Sequence, residues 1–214
     1  MTIEDGVQTI EQGAFYDCSG LTTVDIPNTV TSIGYGAFQN SGLTSVNIGN
    51  GVTSIGASAF QNTSLTSVTI PASVKTIGTS AFSGCGQLKN VTIEHGVTSI
   101  EGAAFNGSGL TSVTIPGSVQ TWGDHAFANC PALTSVTLEE GVPSIGHGAF
   151  DGCTALSTLP LPVSVTYIDS YNFRRTPLTT ANYRGTQDQW NKINIAGANS
   201  KLTSAPKQYN YTSP

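Results

Sequence analysis

Charge is scarce in this sequence. Only 10% of its 214 residues are charged, against about a quarter in an ordinary globular domain. Eight Lys and Arg face thirteen Asp and Glu, for a net charge of −5. Nucleic acids and anionic membranes call for clustered cations, so neither is an expected partner. Long apolar runs are missing as well. None approaches the ~20 residues of a membrane-spanning helix, so no membrane insertion is expected. The first residues, Met1 to Gly6, show no basic stretch leading into an apolar one, so no signal peptide is visible. They also start partway through a repeat, which points to a fragment of a longer protein or one whose export signal has been removed. The four Cys form no Cys-x-x-Cys pair, which argues against a zinc or dithiol redox centre.

What is present is repetition. Phe recurs at Phe15, Phe38, Phe60, Phe82, Phe105, Phe127, Phe150 and Phe173, in steps of 22 or 23. Leu recurs at Leu21, Leu43, Leu65, Leu88, Leu110, Leu133, Leu156 and Leu178, and each of the first seven stands 17 residues before the next Phe of the series. All variation in length therefore sits in the five- or six-residue link from Phe to Leu. A fixed period of this size is the signature of one supersecondary unit stacked on itself. The expected architecture is a mainly β solenoid of about eight coils over residues 1–183, closed by a capping segment over 184–214.

Each unit begins with an alternating run such as Leu110-Thr111-Ser112-Val113-Thr114-Ile115. Val113 and Ile115 share one face and Ser112 and Thr114 the other. β-Branched residues dominate, so a strand is predicted. Strands repeating in one direction give a parallel sheet. The corner that follows alternates in chemistry. Pro27, Pro71, Pro116 and Pro162 open one version; Gly6, Gly51, Gly96 and Gly141 close the other. The true period is thus a pair of coils, 45 residues. A second short run, as in Val52-Thr53-Ser54-Ile55-Gly56, predicts a short strand on the opposite wall. That strand should weaken near Pro143, which cannot donate to a ladder. Trp122 replaces the Ile once and reads as an enlarged core residue rather than an exposed anchor.

All four cysteines lie three residues after a Phe, in six-residue links. Cys130 and Cys153, in successive units, could bridge. The alternative is a small buried thiol in a packing slot, which is preferred because Cys18 and Cys85 have no Cys in a neighbouring unit.

The pattern Leu-x-x-Val-x-Ile-Pro-x-x-Val-x-x-Ile-Gly-x-x-Ala-Phe-x-x-Cys resembles the BspA-like subclass of bacterial leucine-rich repeats, over roughly residues 3–183. The resemblance implies a right-handed horseshoe with a parallel concave sheet and short convex strands and turns. It also implies a secreted or surface-located bacterial protein with an adhesive or protein-binding role toward host or matrix proteins, and no shared catalytic centre. The alternative is a structural spacer or display stalk without its own ligand.

The last unit degenerates at Asn172, Arg174 and Arg175. Thr186 and Gln189 have capping-box spacing, so a short helix over Thr186–Asn194 is predicted to lay Trp190 on the final coil. Beyond Ala196 an extended segment is expected, packed through Tyr209 and Tyr211. The N-terminus has no such cap, and an unpaired first strand invites self-association.

No catalytic constellation emerges. His95, His125 and His147 read as solvated loop residues, and every Ser is explained by the repeat. The acidic corners Glu4-Asp5, Glu94-His95 and Glu139-Glu140 recur about 10 Å apart, too far to share a calcium ion with ~2.4 Å bonds. No enzyme, metal or cofactor is expected. The candidate binding face is the outward side of the concave strands: Thr23, Asp25, Ser45, Asn47, Ser67, Thr69, Asn90, Thr92, Ser112, Thr114, Ser135 and Thr137. It lacks Trp, Tyr and Arg, the usual anchors of a protein interface. An edge carrying Tyr16, Tyr35 and Tyr167 is the other candidate.

Overall fold

The computed structural model describes residues 1–212, and in it the chain winds into a parallel β-solenoid of about nine turns. Ser213 and Pro214, the end of the expected extended segment, lie outside the described residues. Strands of two and four residues alternate along the chain. The first half holds β1 (Thr9–Ile10), β2 (Thr23–Ile26), β3 (Ser32–Ile33), β4 (Ser45–Ile48), β5 (Ser54–Ile55), β6 (Ser67–Ile70), β7 (Thr76–Ile77), β8 (Asn90–Ile93) and β9 (Ser99–Ile100). The second half holds β10 (Ser112–Ile115), β11 (Thr121–Trp122), β12 (Ser135–Leu138), β13 (Ser144–Ile145), β14 (Thr158–Leu161), β15 (Tyr167–Ile168) and β16 (Thr180–Tyr183). Then come α1 (Gln187–Trp190), β17 (Asn194–Ile195), α2 (Ser200–Ser204) and β18 (Lys207–Gln208).

Alternation along each long strand does what the sequence predicts. In β2, β6 and β10 the Val and Ile are buried while the residues between them are exposed. From the second unit onward the inward Leu, Val, Ile, Ala and Phe side chains merge into one continuous core, while Val7 and Ala14 of the first unit stay exposed. Its axis is a ladder of eight Phe rings, Phe15 to Phe173, with centroids 5.0–6.5 Å apart and planes within 18° of parallel. The ring spacing follows the rung spacing of the sheet, ~4.8 Å.

Two columns of left-handed backbone flank this ladder. The residue two before each Phe has positive φ in every unit: Gly13, Gly36, Ser58, Ser80, Ala103, His125, Gly148 and Tyr171. So does the residue two after: Asp17, Asn40, Asn62, Gly84, Gly107, Asn129, Gly152 and Arg175. Asn, Asp and Gly tolerate this conformation best, and they fill seven of those last eight positions.

The concave sheet is not continuous. It divides into hydrogen-bonded groups, β2-β4, β6-β8, β10-β12 and β14-β16-β18. The alternating corners explain the breaks. Inside a group, the residue after the second strand donates its N–H to the end of the first: Glu94 to the Ile70 carbonyl, Glu139 to Ile115 and Arg184 to Leu161, each at 3.0 Å. At the joints the equivalent residues are Pro71, Pro116 and Pro162, which have no N–H. The two-coil period is therefore also the unit of sheet hydrogen bonding.

The opposite wall runs unbroken from β1 through β3, β5, β7 and β9 to β11, then resumes as β13-β15-β17. The gap falls at Pro143, as expected. Thr98 and Gln120 each donate to the preceding rung at 2.9 Å, and Pro143, next in that column, has no N–H to give. Trp122 sits at the same joint. It is half-buried, edge-on to Phe127 and Phe150 at 5.8 and 6.1 Å, so it packs on the core as expected.

The C-terminal segment departs from expectation in detail. Thr186 and Gln189 form the predicted capping box, but α1 covers only Gln187–Trp190. Trp190 is 7% exposed and meets Tyr183 edge-on at 5.6 Å. The following residues are not simply extended. Leu202 in α2 is fully buried, and β17 and β18 pair with β15 and β16. The segment thus continues both ladders as a ninth turn while covering the core. Buried apolar side chains at Trp190 and Leu202 draw these few residues into turns that an extended chain would leave uncovered.

Asn172 and Asn199 tie this turn down. Asn172 stands where other units have Ala and accepts from the Ala149 N–H at 2.8 Å, while its own N–H donates to Asn199 Oδ1 at 3.0 Å. Asn199 Nδ2 donates to the carbonyls of Asp169 and Ala196. At the other end, Met1–Ile3 already lies along β2: the Ile3 N–H reaches the Asp25 carbonyl at 3.1 Å, and the Asp25 N–H the Met1 carbonyl at 3.0 Å. The first long strand therefore has a neighbour on each side, and Phe15 is the one half-buried ring of the ladder.

Candidate binding surface

The twelve residues singled out in the sequence all lie on the outer side of β2, β4, β6, β8, β10 and β12, in two columns. Register pairs Thr23 with Ser45 and Asp25 with Asn47, Ser67 with Asn90 and Thr69 with Thr92, Ser112 with Ser135 and Thr114 with Thr137. Eleven are exposed and Thr137 is half-buried. Two hollows lie on this face toward the N-terminal end. One, about 490 Å³, is bordered by Thr2, Asp5, Asp25, Asn28, Asn47 and Asn50. The next, about 390 Å³, is bordered by Ser45, Asn47, Ser67, Thr69, Asn90 and Glu94. They share Asn47, Ile48 and Asn50. The second spans the joint between β4 and β6, where Pro71 interrupts the ladder. Its borders offer hydroxyls, amides and one carboxylate, a hydrogen-bonding lining with few apolar groups.

The Tyr edge does not form as expected. Tyr16 and Tyr35 lie together over the first two turns, but Tyr167 is on β15, six turns beyond Tyr35 along the opposite wall. The His residues also differ in setting. His95 is exposed, with Nε2 2.8 Å from Glu139 Oε2. His125 and His147 are half-buried and meet edge-to-face at 5.4 Å, and His147 Nδ1 lies 3.9 Å from Asp169. Among the described residues no group of three or more His, Cys, Asp or Glu converges as a metal site would require.

The cysteines are unbridged: Cys85, Cys130 and Cys153 are buried and Cys18 is exposed. A wider pattern surrounds them that residue counting missed. The position three after each Phe is Cys in every six-residue link and Ser or Thr in every five-residue link. Thr63 and Thr176 return their hydroxyls to the Phe carbonyl of their own turn, at 2.9 Å each. Cys85, Cys130 and Cys153 instead reach the Phe carbonyl of the turn before, at 3.1, 3.3 and 3.2 Å. Link length decides which carbonyl is in reach. Comparing that position across all eight units would have shown the alternation in the sequence.

A parallel solenoid with one long and one short strand per turn, a core Leu, Val, Ile and Phe in each, and a two-coil period is a leucine-rich-repeat architecture. The family model described as the BspA type leucine rich repeat region matches in six copies over residues 1–108 and 76–194, and the chain belongs to that family. No curated protein matches it. Among solved structures, the chain is similar to the leucine rich repeat protein of T. pallidum, with 29% identity, 83% of this chain and 77% of that one covered, and a TM-score of 0.57. The pneumococcal vaccine antigen PcpA shares the fold at 20% identity, covering 100% of this chain and 76% of that one, with a TM-score of 0.52. A leucine rich cell surface protein from Faecalibacterium prausnitzii is 28% identical over 86% of this chain, with a TM-score of 0.42. This chain spans 65% of that protein's length.

Proposed function

We propose that this chain is a non-catalytic binding module of a secreted or surface-located bacterial protein, and that the concave hydroxyl and amide columns contact a protein ligand of host or matrix type. The observation that carries the reading is the pair of adjoining hollows on an otherwise unpartnered sheet face, bordered by Asp25, Asn47, Asn50, Ser67 and Asn90. Relatives described as a cell surface protein and as a pneumococcal antigen support the location. A second reading, a spacer that binds nothing, is favoured by the absence of Trp, Tyr and Arg from the twelve outward positions. Surface plasmon resonance against a set of extracellular-matrix proteins separates the two. A binding module gives a saturable signal that Asn47→Arg and Thr69→Arg abolish without changing the melting temperature. A spacer gives none.

A further inference from the structure

Two loop columns carry side chains that change from turn to turn: the residue just after each core Phe, and the residue three before it. In the first two turns they hold a crossed pattern. Tyr16 and Gln39 occupy the first column, Gln12 and Tyr35 the second. Between them run Gly13 and Gly36, at φ of 63° and 56°. These six residues line a cleft of about 380 Å³, inside the roughly 300–1,000 Å³ range of small-molecule sites. We infer that this cleft is a binding site for a neutral carbohydrate, distinct from the concave face.

The geometry is held by the solenoid. The Gly13 N–H donates to the Tyr35 carbonyl and the Asp17 N–H to the Gln39 carbonyl, both at 2.9 Å. Gln39 Nε2 donates to Gln61 Oε1 at 2.8 Å, which fixes the amide. Its Oε1 then lies over Gly36, where an added Cβ would come within 3.0 Å of it. The glycines keep the floor bare. One turn on, the same columns hold Ala57, Ser58 and Gln61, so the cleft ends there. Tyr16 and Tyr35 are 50% and 54% exposed, the two most exposed large apolar side chains among the described residues.

An exposed phenol ring accepts the C–H face of a pyranose, and its hydroxyl adds a polar handle. A planar amide both donates and accepts, matching a pair of neighbouring sugar hydroxyls. No aliphatic side chain lines the cleft, which disfavours a protein anchor. Charge selects further. The first 74 residues contain no Lys or Arg and five acids, of which Glu11 and Asp17 directly adjoin cleft residues. Their field disfavours sialylated or sulfated sugars.

Isothermal titration with cellotriose, maltotriose and N-acetyllactosamine, and with sialyllactose as the anionic comparison, tests the assignment. At least one neutral probe binds. Tyr35→Ala and Gln39→Ala each weaken it by about tenfold or more, with melting temperature unchanged, while Asn47→Arg on the concave face leaves it intact. Failure of every neutral probe overturns the proposal. So does sialyllactose binding as tightly as the neutral sugars, or binding that survives Tyr16→Ala combined with Tyr35→Ala. Loss of binding to a deglycosylated protein in the same variants, with no sugar bound by the wild type, assigns the cleft to a protein partner and overturns it equally.

Discussion

Arg174 places its guanidinium on the carboxylate of Asp151, with Nη2 2.6 Å from Oδ2, and so ties the degenerate last repeat to the turn before it. The carboxylate is 3% exposed and Arg174 58%. Arg175 adds bonds from Nε and Nη2 to the same group. Burial alone would push the Asp151 carboxyl up. The two guanidinium groups win and hold it below the usual carboxylate range. A carboxyl depressed in the fold stabilises above its unfolded value, about 3.9, and that stabilisation is lost as pH falls through the folded value. Asp151→Asn is expected to melt several degrees lower than wild type at pH 7, and the gap should close on acidification below about pH 4. Thermal melts from pH 3 to 7 check this; a gap that stays constant through that range contradicts it.

The Phe ladder predicts a position-dependent cost. Phe105 is fully buried between Phe82 and Phe127 at 5.2 and 5.1 Å, so Phe105→Ala should cost about 3–5 kcal/mol. Phe15 has one stacked neighbour and a half-exposed ring, so Phe15→Ala should cost about half as much or less. Urea denaturation of both variants measures the difference.

The left-handed columns predict opposite effects for opposite exchanges. Ala103 sits at φ 54°, a conformation that costs an L-residue about 1–2 kcal/mol. Ala103→Gly relieves it, and after glycine's own entropy cost of about 0.5–1 kcal/mol a small gain in stability remains. Gly148 sits at φ 58°, and a Cβ there would lie 2.5 Å from the His125 ring. Gly148→Ala is therefore destabilising by about 1 kcal/mol or more. A melting-temperature comparison that fails to order Ala103→Gly above wild type and Gly148→Ala below it contradicts the strain assignment.

Thiol chemistry separates the four cysteines. Burial pushes the Cys85 thiol up, and Cys130 and Cys153 are equally inaccessible. Cys18 alone is exposed. A chromogenic disulfide reagent at pH 8 should titrate one thiol rapidly in the reduced native protein and four after denaturation. Two fast-reacting thiols in the native protein would contradict the burial of Cys85, Cys130 and Cys153, and only two thiols after denaturation of untreated protein would favour the bridged reading instead.

Much of the fold was legible in advance because a repeat tests each inference many times. Val113 and Ile115 pointed inward by alternation alone, Pro143 marked the break in the short-strand wall, and Thr186 with Gln189 marked the α1 cap. What escaped notice depends on contacts between turns. Asn172 read as degeneration, yet its side-chain oxygen accepts from the seventh turn while its backbone N–H donates to Asn199 in the last. Residues beyond Ala196 looked featureless because Leu202 finds its place only against the end of a stack. Tyr16, Tyr35 and Tyr167 looked like one edge, since residue types show neither which loop column a side chain occupies nor how many turns separate it from another.

By itself the sequence determined the solenoid, its period, its inward-facing residues and its two-coil unit, because these follow from local alternation and from the φ limits of Pro and Gly, repeated eight times. Only the tertiary structure decided that proline corners divide the concave sheet into bonded groups, that the last residues form a ninth turn, and that Tyr16, Tyr35, Gln12 and Gln39 share one cleft. Each of these is a relation between residues about 22 positions apart in the chain and one rung apart in space, and stacking alone brings them together.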